Sequence, residues 1–123
     1  MSTDLKESAM ACANMLTLHN AMGTCVLDFR KMSMWTDFFI ICSATSNTHM
    51  KGLARHTDEF MAQKDLSLLR KPGFSDDENW CLMDYGDIVV HIMTQEAREF
   101  YELEKLWFEA EKSEIKLQAA TAP

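Results

Sequence analysis

Three aspartates and two histidines carry the side chains that could bind a metal or move a proton: Asp37, Asp84 and Asp87, with His49 and His91. Spacing decides whether such groups can act together. Two carboxylates at i and i+2 of a strand point to one face and can share a divalent ion. Asp84 and Asp87 are three apart with Gly86 between them, so they point in different directions. His91, flanked by Val90 and Ile92, reads as a hydrogen-bonded sheet histidine. No arrangement of serine, cysteine and histidine forms a nucleophilic triad. The reading is therefore of no catalytic residue, no metal and no cofactor.

Ser43-Ala44-Thr45-Ser46 is the other chemically suggestive stretch. It follows the apolar run Phe38 to Cys42 and precedes a helical pattern carrying Met50, Leu53, Ala54, Thr57, Phe60 and Met61 on one face. Free amides at such a helix start can cradle a phosphate. The same residues also suit an ordinary N-cap, in which Thr45 or Ser46 accepts a hydrogen bond from those amides. Capping is preferred because no Gly-x-Gly or Gly-Lys-Ser/Thr fingerprint is present. His49, near the positive end of the helix dipole, reads as a neutral hydrogen-bonding group.

The elements that must position these residues centre on Trp80 to Trp107, WCLMDYGDIVVHIMTQEAREFYELEKLW. Tyr85-Gly86-Asp87 separates two apolar runs of strand length, and glycine supplies the positive φ of a tight reversal. Ile88 to Met93 is rich in β-branched residues and predicts a strand covered on both faces. Thr94 caps a following helix, on which Phe100, Leu103, Leu106, Trp107 and Ala110 fall at helical offsets. Glu102 with Lys105, and Glu109 with Lys112, offer i,i+3 pairs there.

Upstream, Asp4 and Glu7 form a capping-box pattern for a first helix carrying Leu5, Ala9, Cys12, Ala13 and Leu16. It is expected to run to about Met22, with Gly23 as its terminator. Strands are predicted over Thr24 to Arg30, Phe38 to Cys42 and Leu66 to Lys71, the last stopped by Pro72-Gly73. Asp28 in the first strand reads as a polar position facing solvent or capping a neighbour. Phe74 to Asn79 is a polar, acidic loop. The expected fold is one α/β domain over residues 1–117, a mixed sheet of about five strands with flanking helices, and a frayed tail over residues 118–123.

Composition narrows the function. A net charge of −7 and a pI near 5.0 argue against a protein that binds nucleic acid through its phosphates. An acidic surface suits a basic protein partner. No apolar run approaches the roughly 20 residues that span a bilayer, and Asp4 and Glu7 do not fit a signal peptide, so the chain reads as cytosolic. Cys12, Cys25, Cys42 and Cys81 are widely spaced, each in an apolar run, and read as buried, reduced thiols.

Two blocks of the sequence resemble a known family, the ribosomal silencing factors, or Iojap family. Trp80 to Trp107 resembles its W-x-L-x-DYGD-x-VVH-x(6)-R-x-FY-x-LE-x-LW pattern. Trp35-Thr36-Asp37 through Ser43-Ala44-Thr45-Ser46 to His49 resembles W-T-D-x-F-x-I-x-S-G-T-S-x-x-H. Two departures stand out: Ala44 where the family commonly has glycine, and Pro72-Gly73 where it often has Glu-Gly ahead of the tryptophan. The resemblance implies a fold distantly shared with nucleotidyltransferases, though the Gly-Ser turn and paired carboxylates of those enzymes are missing. It implies binding to the large ribosomal subunit through ribosomal protein L-fourteen, steric blocking of small-subunit joining, and repression of translation when nutrients are short.

Large aromatic groups beside acids are the usual anchors of protein interfaces. Trp80, Asp84, Tyr85, Asp87, Arg98 and Tyr101 are the partner-binding residues that the resemblance and this pattern select, while Phe100 and Trp107 are expected in the core. Two other readings remain: a small nucleotide-binding or nucleotidyl-transferring enzyme using Ser43 to Ser46 and Asp37, and a homodimer pairing through an exposed sheet edge.

Overall fold

Two seven-residue runs, FFIICSA and IVVHIMT, lie side by side at the centre of the sheet and are buried on both faces almost throughout. The computed structural model describes residues 3–115 apart from 33 and 76. Its elements are α1 (Thr3–Leu18), β1 (Met22–Asp28), β2 (Phe38–Ala44), α2 (Asn47–Gln63), β3 (Gly73–Phe74), β4 (Trp80–Asp84), β5 (Ile88–Thr94), α3 (Gln95–Tyr101), α4 (Leu103–Leu106) and β6 (Glu111–Glu114). The strands form one sheet in the order β3-β4-β5-β2-β1-β6. Only β2 and β5 run parallel, and every other pairing is antiparallel. The α/β class and mixed sheet match expectation, with six strands rather than about five.

Side-chain alternation gives the sheet two different faces. Val26, Phe38, Ile40, Cys42, Cys81, Met83, Ile88, Val90 and Ile92 point to one face, where Ala9, Cys12, Leu16, Met50, Leu53 and Met61 of α1 and α2 close over them. Cys25, Leu27, Phe29, Phe39, Ile41, Val89 and Met93 point to the other. That second face is roofed by the short segment carrying Ala97, Leu103, Trp107 and Ala110, with Met32 and Met34 of the β1–β2 connection packing beside it. The outer strand β4 is left half covered, with Trp80 and Leu82 partly buried.

Several boundaries differ from the sequence reading. Helix α1 stops at Leu18 rather than near Met22, because Asn20 takes φ 74° and the amides of Ala21 and Asn20 bond back to Leu16 and Thr17. That is the Schellman closure, in which asparagine replaces glycine. Gly23, read as the terminator, instead sits at φ +57° in a bulge of β1, where the register against β2 shifts between Met22 and Cys25. Helix α1 already begins at Thr3, so Asp4 lies in its first turn and not at the cap position that the capping-box reading gave it, and the tail reading of residues 118–123 lies outside the described residues.

Leu66 to Lys71 is not a strand. Leu66 and Leu68 pack on the core, but apart from a bond from the Leu69 amide to the Asp84 carbonyl the segment forms no ladder. The third strand is the two-residue β3 beyond Pro72, paired with Leu82 and Cys81. The helix after Thr94 is also shorter than its periodicity suggests. It ends at Tyr101, breaks at Glu102 (φ 50°), resumes for four residues, and the chain then forms β6 along β1. Phe100 is consequently 78% exposed, not core, while Trp107 does pack on the second face. The Glu102–Lys105 pair forms at 3.4 Å, but Lys112, now on a strand, lies against Glu104 at 3.2 Å and Glu114 at 3.7 Å.

The four cysteines are buried and unbridged. Among the described residues no helix is long and apolar enough to cross a membrane.

Candidate docking face

A row of rings crosses the second face of the sheet. Phe100 meets Tyr101 at 4.9 Å between centroids, Tyr101 meets Trp80 at 4.8 Å, and Trp80 meets His91 at 5.8 Å. His91 meets Phe39 at 4.4 Å, and Phe39 carries Trp107 at 5.2 Å and Trp35 at 6.1 Å. The ends of the row are open, with Trp35 64%, Phe100 78% and Tyr101 48% exposed. Strand alternation explains the middle: Trp80 and Leu82 of β4, His91 of β5 and Phe39 of β2 all point to this side.

The turn at the hairpin end is held by its own polar groups. Asp84 Oδ1 accepts from the Gly86 amide at 2.8 Å, and Gly86 has φ +90°. The Asp87 carbonyl accepts from the amides of Asp37 and Phe38, so the turn fixes the start of β2, while the Asp87 side chain is exposed.

Two of the residues selected from sequence turn inward. Tyr85 is 5% exposed, on the helix-covered face, and its hydroxyl donates to Asp58 Oδ1 at 2.9 Å. Arg98 donates to Glu104 at 3.0 Å, to Ser43 Oγ at 3.1 Å and to the Met22 carbonyl at 3.3 Å, with a side chain 14% exposed. The guanidinium holds the Glu104 carboxyl below its ordinary range. The nearby Cys25 thiol is pushed up to about 11, chiefly by burial. These contacts fasten α3 and α4 to β1 and β2. Trp80 and Tyr101 are thus brought together on the face, Asp84 and Asp87 flank it at the turn, and Tyr85 and Arg98 hold elements behind it.

The remaining polar candidates are engaged within the fold. Ser46 caps α2, its hydroxyl accepting from the His49 amide at 3.0 Å. His49 Nδ1 accepts from the Thr45 amide at 2.9 Å and its Nε2 lies 2.8 Å from the His19 carbonyl, an arrangement that fits a neutral ring. Ala44 sits in regular strand pairing with Thr94, so the turn needs no glycine there. Asp28 pairs with Arg30 at 2.8 Å. Among the described residues no group of three His, Cys, Asp or Glu side chains is arranged to hold a metal ion.

Sequence reasoning did not select Trp35 or Phe39 for this face, and it put the exposed Phe100 in the core. Alternation along β2 is the signal that could have found Phe39, whereas Trp35 lies in an irregular connection with no period to read.

Helices α1 and α2 over one face of the sheet, and the short α3–α4 segment beside a row of rings with exposed ends on the other, define a small α/β protein. The chain belongs to the family described as ribosomal silencing factor during starvation, whose profile matches residues 2–123. It is 32% identical over 111 residues to the ribosomal silencing factor RsfS of Bacillus subtilis, covering 90% of each chain. It is 34% identical over 98 residues to the mouse mitochondrial assembly of ribosomal large subunit protein 1, covering 76% of this chain and 42% of that one. A crystal structure from Chromobacterium violaceum superposes with a TM-score of 0.74 at 21% identity, covering 98% of both chains. Another, from Bacillus halodurans, gives 0.71 at 26% identity, covering 92% of this chain and 99% of that one.

Proposed function

We propose that this protein is a cytoplasmic, non-enzymatic factor that binds the large ribosomal subunit through ribosomal protein L-fourteen and, by occupying that face, blocks joining of the small subunit and damps translation. The observation that carries the reading is the row of rings with exposed ends, Phe100 and Tyr101 beside the partly buried Trp80 on one side and Trp35 on the other. Large aromatics left exposed together on a half-covered sheet are binding surface. Exposed Asp87, Glu96 and Glu99 lie nearby in the chain and favour a basic partner surface. Family membership supplies the ribosome as that partner. Exclusion of the small subunit then needs only an interface, and no bond is made or broken.

The test is co-sedimentation with isolated large and small subunits beside a joining assay, comparing the natural protein with Trp80→Ala. Binding to the large subunit alone, loss of joining, and a drop in affinity of about tenfold or more in the variant are expected for a central aromatic anchor. Absence of binding to either subunit at moderate salt rejects the proposal. Sedimentation equilibrium of the free protein separates this reading from self-association through the same rings.

A further inference from the structure

We infer that His91 is a pre-set hydrogen-bond donor beneath the aromatic row, awaiting a neutral oxygen acceptor from the docked partner. The inference rests on the docking reading of this face and deepens it. His91 is 4% exposed, and its Nδ1 accepts from the Trp80 indole N–H at 3.1 Å. An imidazole nitrogen that accepts carries no proton, so in the neutral ring the proton is on Nε2. That Nε2 is buried and has no hydrogen-bond partner.

Buried donors are nearly always paired, because an unmade bond forfeits the full cost of removing the group from water. The orphan here sits within the ring row of the open face, not in the apolar layer under α1 and α2. Nδ1 is bonded to the ring carbon nearest the backbone, so Nε2 is the distal nitrogen, directed away from the sheet. The rings beside it are Phe39 and Trp80, and Trp80 carries the half-exposed Tyr101.

The chemistry of the acceptor follows from the charges around it. Asp84 shares this face of β4, and Glu96 and Glu99 are exposed on α3, so an incoming carboxylate or phosphate meets repulsion. A main-chain carbonyl of a basic protein meets none. A contact satisfied only in the complex adds specificity, because a partner without the oxygen leaves the donor unpaired.

Two substitutions separate the ring's nitrogens. In His91→Asn the side-chain amide stands near the place of Nδ1, so an acceptor for Trp80 is kept and the ε donor is deleted. In His91→Gln the amide reaches one methylene further and restores a donor near Nε2. Each is titrated against purified large subunits beside Trp80→Ala, with thermal midpoints confirming the fold. The expected result is a loss of affinity of tenfold or more for Asn and of less than about threefold for Gln. Equal losses in both, a loss confined to Gln, or natural affinity in Asn overturns the inference. Natural affinity in Trp80→Ala with Asn weak and Gln intact would instead reject the aromatic anchor and leave the donor standing.

Discussion

The Arg98 guanidinium lies 3.0 Å from the position that a Cβ would take on Gly23. The bulge in β1 and the arginine of α3 are therefore one packing unit, and two features favour glycine there. Its φ of +57° disfavours any side chain, and an added Cβ would press against the tip of Arg98, which is itself held by Glu104, Ser43 and the Met22 carbonyl. Gly23→Ala is expected to cost about 2–3 kcal/mol, roughly 1 from the backbone and the rest from displacing the guanidinium. Urea unfolding measures it, and a loss below about 0.5 kcal/mol would mean that the arginine moves aside freely.

Arg98 and Glu104 form the partly buried ion pair that holds α3 and α4 to the sheet. A double-mutant cycle of Arg98→Ala and Glu104→Gln is expected to show about 1–3 kcal/mol of coupling, as for contacting partners in one network. Amide exchange over residues 95–106 should quicken in either single variant. Unchanged exchange would show that Ala97 and Leu103 alone hold the segment.

Stability should fall on mild acidification because of His91. Burial lowers its value from 6.5 to about 4, so below pH 6.5 the unfolded chain takes up a proton that the folded chain does not. The contribution is intact above pH 6.5, declines as pH falls from there, and stops changing below about 4. Linkage gives a loss of about 2 kcal/mol between pH 7 and pH 5. Comparing urea midpoints of the natural protein and His91→Gln at the two pH values isolates this part, which should be missing in the variant.

Glu102 takes φ 50° between α3 and α4, a left-handed conformation that costs an ordinary residue energy. Glu102→Gly is expected to stabilise the fold by about 0.5–1 kcal/mol, offset slightly by loss of the exposed Lys105 pair. Thermal unfolding reads the sign, and a drop in midpoint would show that the ion pair outweighs the backbone strain.

The central strands and the hairpin were legible from local pattern. β-branched runs, Gly86 in the turn and Thr94 at the helix start each act through neighbours in the chain, and the structure uses them as read. Strand β6 was not legible, because E-K-S-E has no apolar alternation and becomes a strand only where the free edge of β1 offers carbonyls and amides. Leu66 and Leu68 misled in the opposite way, since their alternation reflects packing without a neighbouring strand.

By itself the sequence determined the class of the sheet, its two central strands, the Trp80 hairpin and the family, all of which are written in contiguous residues. Tertiary structure alone decided which aromatics share the open face, that Tyr85 and Arg98 turn inward, that Gly23 answers to an arginine far along the chain, and that His91 keeps an unpaired nitrogen. The reason is physical: periodicity tells a side chain which way to point from its own element, but what it meets there depends on elements brought together only by folding.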